Sequence, residues 1–280
     1  MRPPVPYFGS KQSLAPWIVS LLPPHEHYVE PFAGSLAVML AKTPSAHETV
    51  NDLDSGLMTF WRVLREQPDE LARVCALTPH SRAEFEHAYD EDPSDELELA
   101  RRVWVRLTQS RSGTLRRSGW RHYVAPGGSS RAAYGSMPSY LDGYRDRLAP
   151  VAERLMRVSL ECRPALEVVA AYGSRPGCLL YVDPPYLGST RGWGRNYRCE
   201  MKDDSEHREL AEALWDCAAT VVLSGYPSPL YDELYEGWYR ERASASTGNG
   251  RAGEQARVEV LWSNRPLGAQ GVLDFEAGAA

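Results

Sequence analysis

Apolar and polar positions along this chain follow two different periods, and where one gives way to the other the chain divides. Leu14 to Leu22 is apolar at helical spacing and is stopped by Pro23-Pro24, which predicts a helix. Tyr28-Val29 reads as a short strand, Gly34 as a tight turn, a helix starts at about Ser35, and Glu48 to Asp52 reads as a second strand. From about Asp54 to Arg147 only the helical period is visible, in Leu57 to Leu64, Leu71 to Leu77, Ser81 to Tyr89 and Asp95 to Thr108. Ser81 with Glu84 makes a capping-box signature. The last of the four is acidic at its start and basic at its end, which the helix dipole favours. Alternating strand and helix character returns after Pro150. Strands are expected at Val158 to Leu160, Leu179 to Val182, Thr220 to Ser224, Tyr239 to Arg242 and Val258 to Trp262. Helices are expected over Ala165 to Tyr172, from a cap at Ser205 through Trp215, and from Ser228-Pro229. Ala243 to Ala256 is rich in Gly and Ser and reads as a mobile loop.

This pattern predicts an α/β fold interrupted by a mainly helical insertion. One domain is expected from residues 1–54 and 148–280, and a second from residues 55–147. The apolar run Cys178 to Val182 reads as a buried parallel strand covered on both faces. It ends at Asp183-Pro184-Pro185-Tyr186, the carboxyl end of a strand, where open α/β sheets bind ligands. The two prolines stiffen the turn and leave its carbonyls free to accept. The result is an acceptor cluster beside an aromatic ring, suited to a planar group that donates through an amine. An ordinary strand-ending Asp-Pro turn fits the same residues equally well. The Gly34 turn lacks a full G-x-G-x-x-G, which disfavours a pyrophosphate ligand. Asp52 stands where an acid accepts hydrogen bonds from ribose hydroxyls in α/β cofactor sites, with a helix N-cap as its alternative role.

Length, charge and cysteines narrow the function. The chain has 280 residues, 43% hydrophobic and 24% charged, as ordinary globular proteins have. No apolar run is long enough for a membrane helix, and no signal-peptide core follows Met1, so a cytoplasmic location is expected. The five cysteines are scattered without a Cys-x-x-Cys pair, which argues against a disulfide framework and against a metal site. A net charge of −6 conceals an asymmetry. Arg101, Arg102, Arg106, Arg111, Arg116, Arg117, Arg121 and Arg131 fall in one stretch with no Asp or Glu, so that stretch carries +8 and the remainder −14. Ser110 to Ser136 interleaves its arginines with Trp120, His122, Tyr123 and Tyr134. Unpaired arginines with aromatic neighbours suit phosphate contacts plus base stacking, the alternative being a solvated charged loop.

Taken together, DPPY at Asp183 to Tyr186, EPFAGS at Glu30 to Ser35 and YFGSK at Tyr7 to Lys11 resemble the Dam-type DNA adenine-N6 methyltransferases. NDLDSGL at Asn51 to Leu57 and VEVLWSN at Val258 to Asn264 add to the resemblance, which runs from Tyr7 to about Asn264. One departure is Ser35-Leu36, where the family usually has a second small residue or glycine. The resemblance implies a Rossmann-like methyltransferase sheet with an inserted helical target-recognition domain. It implies S-adenosylmethionine as cofactor, held by Tyr7, Lys11, Phe32, Gly34, Asp52 and Asp183. It implies catalysis by Asp183, Pro184, Pro185 and Tyr186, the acid and the Pro184 carbonyl gripping the amino group of a flipped adenine while Tyr186 stacks on the base. Arg111, Arg116, Arg117, Arg121 and Tyr123 would contact double-stranded DNA. No metal is required, and a cognate restriction endonuclease is a conceivable companion. Competing activities are N-methylation of cytosine N4, RNA or a protein glutamine, or a silent DNA-binding module on the same scaffold.

Overall fold

The computed structural model describes residues 1–122, 136–187, 201, 203–245 and 257–268. Seven strands form one sheet in the order β3-β2-β1-β4-β5-β7-β6. They are β1 His27–Glu30, β2 His47–Asn51, β3 Val158–Glu161, β4 Cys178–Val182, β5 Thr220–Gly225, β6 Tyr239–Ala245 and β7 Arg257–Ser263. The first five run parallel, and β7 is antiparallel to both β5 and β6. The chain winds outward from β1 to β3 and then crosses back to β4. Adjacent strands β1 and β4 therefore leave the sheet toward opposite sides, and a crevice opens beyond their carboxyl ends.

Alternation along the strands builds two cores. Tyr28, Leu179, Tyr181, Val222 and Leu261 face one apolar layer. Their neighbours Val29, Leu180, Val182, Val221, Leu223, Val260 and Trp262 face the other. Successive side chains of a strand point to opposite faces, so a strand covered on both sides reads as an unbroken apolar run. The second layer is closed by α9 (Ala165–Gly173), α10 (Asp204–Trp215) and α11 (Pro229–Leu234).

The first layer is closed by α1 (Ala15–Leu21), α2 (Ala37–Ala41) and the helices between β2 and β3. These are α3 (Ser55–Glu66), α4 (Pro68–Leu77), α5 (Arg82–His87), α6 (Glu96–Gln109), α7 (Met137–Arg145) and α8 (Leu148–Leu155). Phe60, Trp61, Trp104, Leu107 and Tyr140 from this span share one core with Tyr28, Leu36 and Val50. The expected helical insertion is thus packed onto the sheet.

Side-chain caps open five of the eleven described helices and correct two expectations. Asp54 accepts from the Leu57 N–H at 3.1 Å and Asp95 from the Leu97 N–H at 3.1 Å, opening α3 and α6. Ser81 stands at the N-cap of α5 but makes no side-chain cap bond; Glu84, the other half of the expected box, is drawn to Arg101 at 2.9 Å. Helix α10 is capped by Asp203 and Glu206 as a reciprocal box, and Ser205 lies inside the helix. Pro150 sits in the first turn of α8, where its missing N–H costs nothing, and strand and helix alternate again from β3 onward. Ala243 to Ala245, expected as loop, complete β6, and residues 246–256 lie outside the described part.

Candidate active site

A cavity of about 260 Å³ opens at the carboxyl ends of β1, β2 and β4. Its walls include Tyr7, Lys11, Phe32, Gly34, Asp52 and Asp183, which gathers every expected cofactor residue in one place. Pro185 also lines it, whereas Pro184 and Tyr186 do not. Both are buried just behind.

The turn after β1 is shaped by two left-handed residues. Gly34 has φ +46, and a Cβ there would stand 3.3 Å from the Tyr7 ring. Its N–H donates to Asp52 Oδ2 at 3.0 Å, and its carbonyl accepts from the Trp61 indole at 3.2 Å. Leu36 has φ 59, a conformation that costs a non-glycine residue roughly 1–2 kcal/mol. Its side chain is fully buried in the first core, worth about 1.5–3 kcal/mol, which offsets the strain. The departure from the family pattern at this position therefore keeps the turn and fills the core.

Asp52 is not the helix cap; Asp54 is. Asp52 Oδ1 accepts from the Asp54 N–H at 3.0 Å, and its carboxyl is pushed up to about 6 by burial. Glu30, at the end of β1, also reaches the cavity wall. Burial raises its carboxyl to about 8, against opposing hydrogen bonds from the Tyr28 hydroxyl at 2.6 Å and the Met39 N–H at 2.9 Å.

Strand parity assembles the other end of the site. Tyr181 pairs in register with Val222, so two residues on Asp183 meets Ser224, whose hydroxyl donates to Asp183 Oδ1 at 2.9 Å. The Tyr181 hydroxyl lies 3.0 Å from the same Ser224 oxygen. Glu259 shares the parity of Leu261 on β7 and so faces the same layer. From the loop before α1, Lys11 places its ammonium 2.7 and 2.8 Å from the two Asp183 oxygens and 3.6 Å from Glu259. It also donates to the Tyr186 hydroxyl, which itself donates to Glu259 at 3.0 Å. Burial alone would lower the Lys11 pKa, but the Asp183 and Glu259 carboxylates hold it above the ordinary lysine value. The Tyr186 ring lies under the Lys11 ammonium at 4.7 Å and against Tyr226 at 4.4 Å.

Ser224 and Glu259 escaped the sequence reading. Glu259 carried a signal, since an acid at a core-facing position of an otherwise apolar strand demands a partner. Ser224 carried none, being a small polar residue at a strand end.

The arginine-rich stretch needs correction. Arg101, Arg102 and Arg106 are not free of acids. Arg101 pairs with Glu84 and Glu98, Arg102 with Glu98, and Arg106 with Asp92 at 2.7 Å. Glu98 reaches Arg101 and Arg102 from one turn earlier on α6 itself, Asp92 reaches Arg106 from the segment before that helix, and only Glu84 comes through the packing of α5 on α6. Arg111, Arg116 and Arg117 lie on a loop closed by a bridge between Ser110 and Trp120, and Arg121 follows it directly. Arg121 donates to the Ser110 and Arg111 carbonyls at 3.1 and 2.9 Å, Arg111 lies 3.0 Å from a ring nitrogen of His122, and Arg117 is exposed. The loop is tied to the cavity wall through the Phe8 N–H, which donates to the Gly113 carbonyl at 2.7 Å. Tyr123, Arg131 and Tyr134 lie outside the described residues. Among the described residues no group of three or more His, Cys, Asp or Glu converges as a metal site would require.

The profile of the D12 class N6 adenine-specific DNA methyltransferases matches residues 7–246. The chain belongs to that family. It is similar to the Type II methyltransferase M1.LlaDCHI of Lactococcus lactis subsp. cremoris, at 26% identity over 282 aligned positions, covering 94% of this chain and 95% of the relative. A precorrin 8w decarboxylase from Methanobacterium thermoautotrophicum aligns over 95% of this chain and 96% of its own, at 9% identity and a TM-score of 0.41. The family assignment makes this an adenine-specific DNA methyltransferase with DNA as substrate and a methyl donor as co-substrate, on a Rossmann-like sheet.

Proposed function

We propose that the donor is S-adenosylmethionine and that the cavity holds it beside the target adenine. The lining suits such a group. Asp52 offers a carboxylate to ribose hydroxyls, Gly34 lets the backbone come close, and the Tyr7 and Phe32 rings offer π-faces to a sulfonium, worth on the order of 1 kcal/mol. When bound, the donor supplies an electrophilic methyl group.

The protein's part is to prepare the amine. An adenine amino nitrogen shares its lone pair with the ring and is a weak nucleophile. Asp183 accepts one of its N–H bonds and the Pro184 carbonyl the other, which draws the nitrogen toward tetrahedral geometry and localises the lone pair. Among the described residues Asp183 Oδ1 accepts from Ser224 and Lys11, and Oδ2 from Lys11, so an incoming donor meets the Lys11 ammonium at both oxygens. This is preorganised electrostatics plus positioning. Tyr186 sets the rear wall through its hydroxyl; stacking of its ring on the base would require it to part from Tyr226. A base inside a duplex cannot reach Asp183, so it is flipped out at a cost of a few kcal/mol, offset by phosphate contacts from Arg111, Arg116, Arg117, Arg121 and Tyr123. Residues 55–147 act as the recognition unit and residues 1–54 with 148–280 as the catalytic one. The Type II name of the Lactococcus relative supports a companion restriction endonuclease for this enzyme as well. No described helix is long and apolar enough to cross a membrane, and we assign the enzyme to the cytoplasm, with its DNA.

One observation carries this reading: the Asp183 carboxylate lines the same cavity as Gly34 and Asp52. Incubation with methyl-tritiated S-adenosylmethionine and duplex DNA should give labelled N6-methyladenine, and Asp183→Asn should abolish it. Label recovered as N4-methylcytosine, or on RNA or protein alone, would overturn it.

A further inference from the structure

One buried acid has no task in the account above. Glu259 is 2% exposed, is held in the first layer by strand parity, and does not line the cavity. Its carboxylate is nevertheless joined to the site through two contacts: the Tyr186 hydroxyl at 3.0 Å and the Lys11 ammonium at 3.6 Å. Lys11 therefore lies between two carboxylates, in full contact with Asp183 and a short step from Glu259.

That arrangement poses a competition. A cation on both Asp183 oxygens makes charge-assisted hydrogen bonds, roughly twice as strong as those of a neutral donor. An adenine amine is neutral and would lose those oxygens to Lys11 unless the ammonium had somewhere else to go. Solvent is no refuge, since Lys11 is only 5% exposed and leaving it unpaired there is costly. We propose that Glu259 is a positioning residue, a second seat that takes the Lys11 ammonium when the exocyclic amine of a flipped adenine claims Asp183. The proposal rests on the reading of Asp183 as amine acceptor.

The geometry makes the transfer small. Closing 3.6 Å to an ordinary ion-pair distance moves the ammonium by about 1 Å. The Tyr186 hydroxyl already touches both Lys11 and Glu259, so it keeps a partner at either end of the movement. Burial pushes the Glu259 carboxyl up to about 7, with Lys11 opposing and Asp183 adding. An approaching ammonium favours its ionised form, so movement and charge reinforce each other.

The test compares two duplexes, both carrying the recognition site as read by sequencing methylated DNA. One has the target adenine and the other a purine without the 6-amino group at that position. Fluorescence anisotropy on the full chain gives the Kd for each. Glu259→Gln should raise the adenine-to-purine Kd ratio on the order of tenfold and lower kcat, with the KM for the methyl donor unchanged. Glu259→Asp should shift the ratio in the same direction by a smaller factor, and it carries the test if the Gln variant does not fold. In a Lys11→Met background, Glu259→Gln should leave the ratio where it was. A ratio unmoved by either Glu259 variant but shifted by Asp183→Asn overturns the role of Glu259 alone. A ratio that Asp183→Asn also fails to move overturns the reading of Asp183 on which it rests.

Discussion

The Lys11 ammonium and the Asp183 carboxylate, 172 positions apart in the chain, meet at 2.7 Å beside the cavity. Lys11 is almost fully buried, whereas the Asp183 side chain keeps 19% of its surface exposed on the cavity side. The pair thus fixes the orientation of the acid while leaving it reachable.

Lys11→Met should lower DNA methylation by on the order of 10²-fold, the size of effect seen when one positioned charge is removed from a reacting centre. Turnover with saturating donor and duplex measures it. Donor affinity, by calorimetry, should fall by a smaller factor than turnover, because the Asp52 and Gly34 end of the cavity is untouched.

Gly34→Ala should destabilise the fold by about 1–2 kcal/mol, because its φ of +46 is left-handed and the new methyl group meets Tyr7. Chemical denaturation reads this. Donor affinity should fall with it, since Tyr7 and Gly34 face each other across the cavity wall.

Glu30 predicts a pH dependence with a definite sign. Its carboxyl titrates near 8 in the folded protein against an ordinary value of 4.5, so the folded state holds the extra proton between those limits. The stability associated with that proton is fully present below about pH 4.5 and is lost as pH rises through about 8, by on the order of a few kcal/mol. Glu30→Gln keeps the shape and cannot ionise. Melting temperatures measured at pH 5 and pH 8 should show the wild type losing more stability on the alkaline side than the variant does.

The arginine-rich stretch predicts a division of labour. Arg116→Ala with Arg117→Ala should weaken duplex binding and reduce the dependence of log K on log salt by roughly one to two. Arg106→Ala should leave that slope unchanged and lower the melting temperature, because its guanidinium is buried against Asp92 and the Ala88 carbonyl. Equal slope changes in both variants would show that the two sets of arginines do the same work.

Much of this protein is legible in one dimension because its causes are local. A parallel strand buried on both faces must be apolar throughout, which marks Cys178 to Val182; a turn at Gly34 followed by strand and acid marks one end of the cavity; DPPY marks the other. What escaped depends on residues that are distant in sequence. Arg101 and Arg106 look unpaired in a window without acids, yet Glu84 on α5 and Asp92 in the segment after it reach them, while Glu98 pairs with Arg101 and Arg102 along α6 just outside that window. Ser81 holds the expected N-cap position, but the reciprocal box is absent: its side chain makes no cap bond and Glu84 turns to Arg101.

The sequence by itself marked the positions of the seven strands, of every described helix except α7 and α8, and the residues Gly34, Asp52 and Asp183, since period, turn chemistry and motif are written in neighbouring positions. The tertiary structure alone decided that Lys11, Ser224 and Glu259 surround Asp183. Strand parity sets which face a side chain takes, but only the pairing of β4 with β5, the antiparallel docking of β7, and the return of the first loop over the sheet bring those faces together.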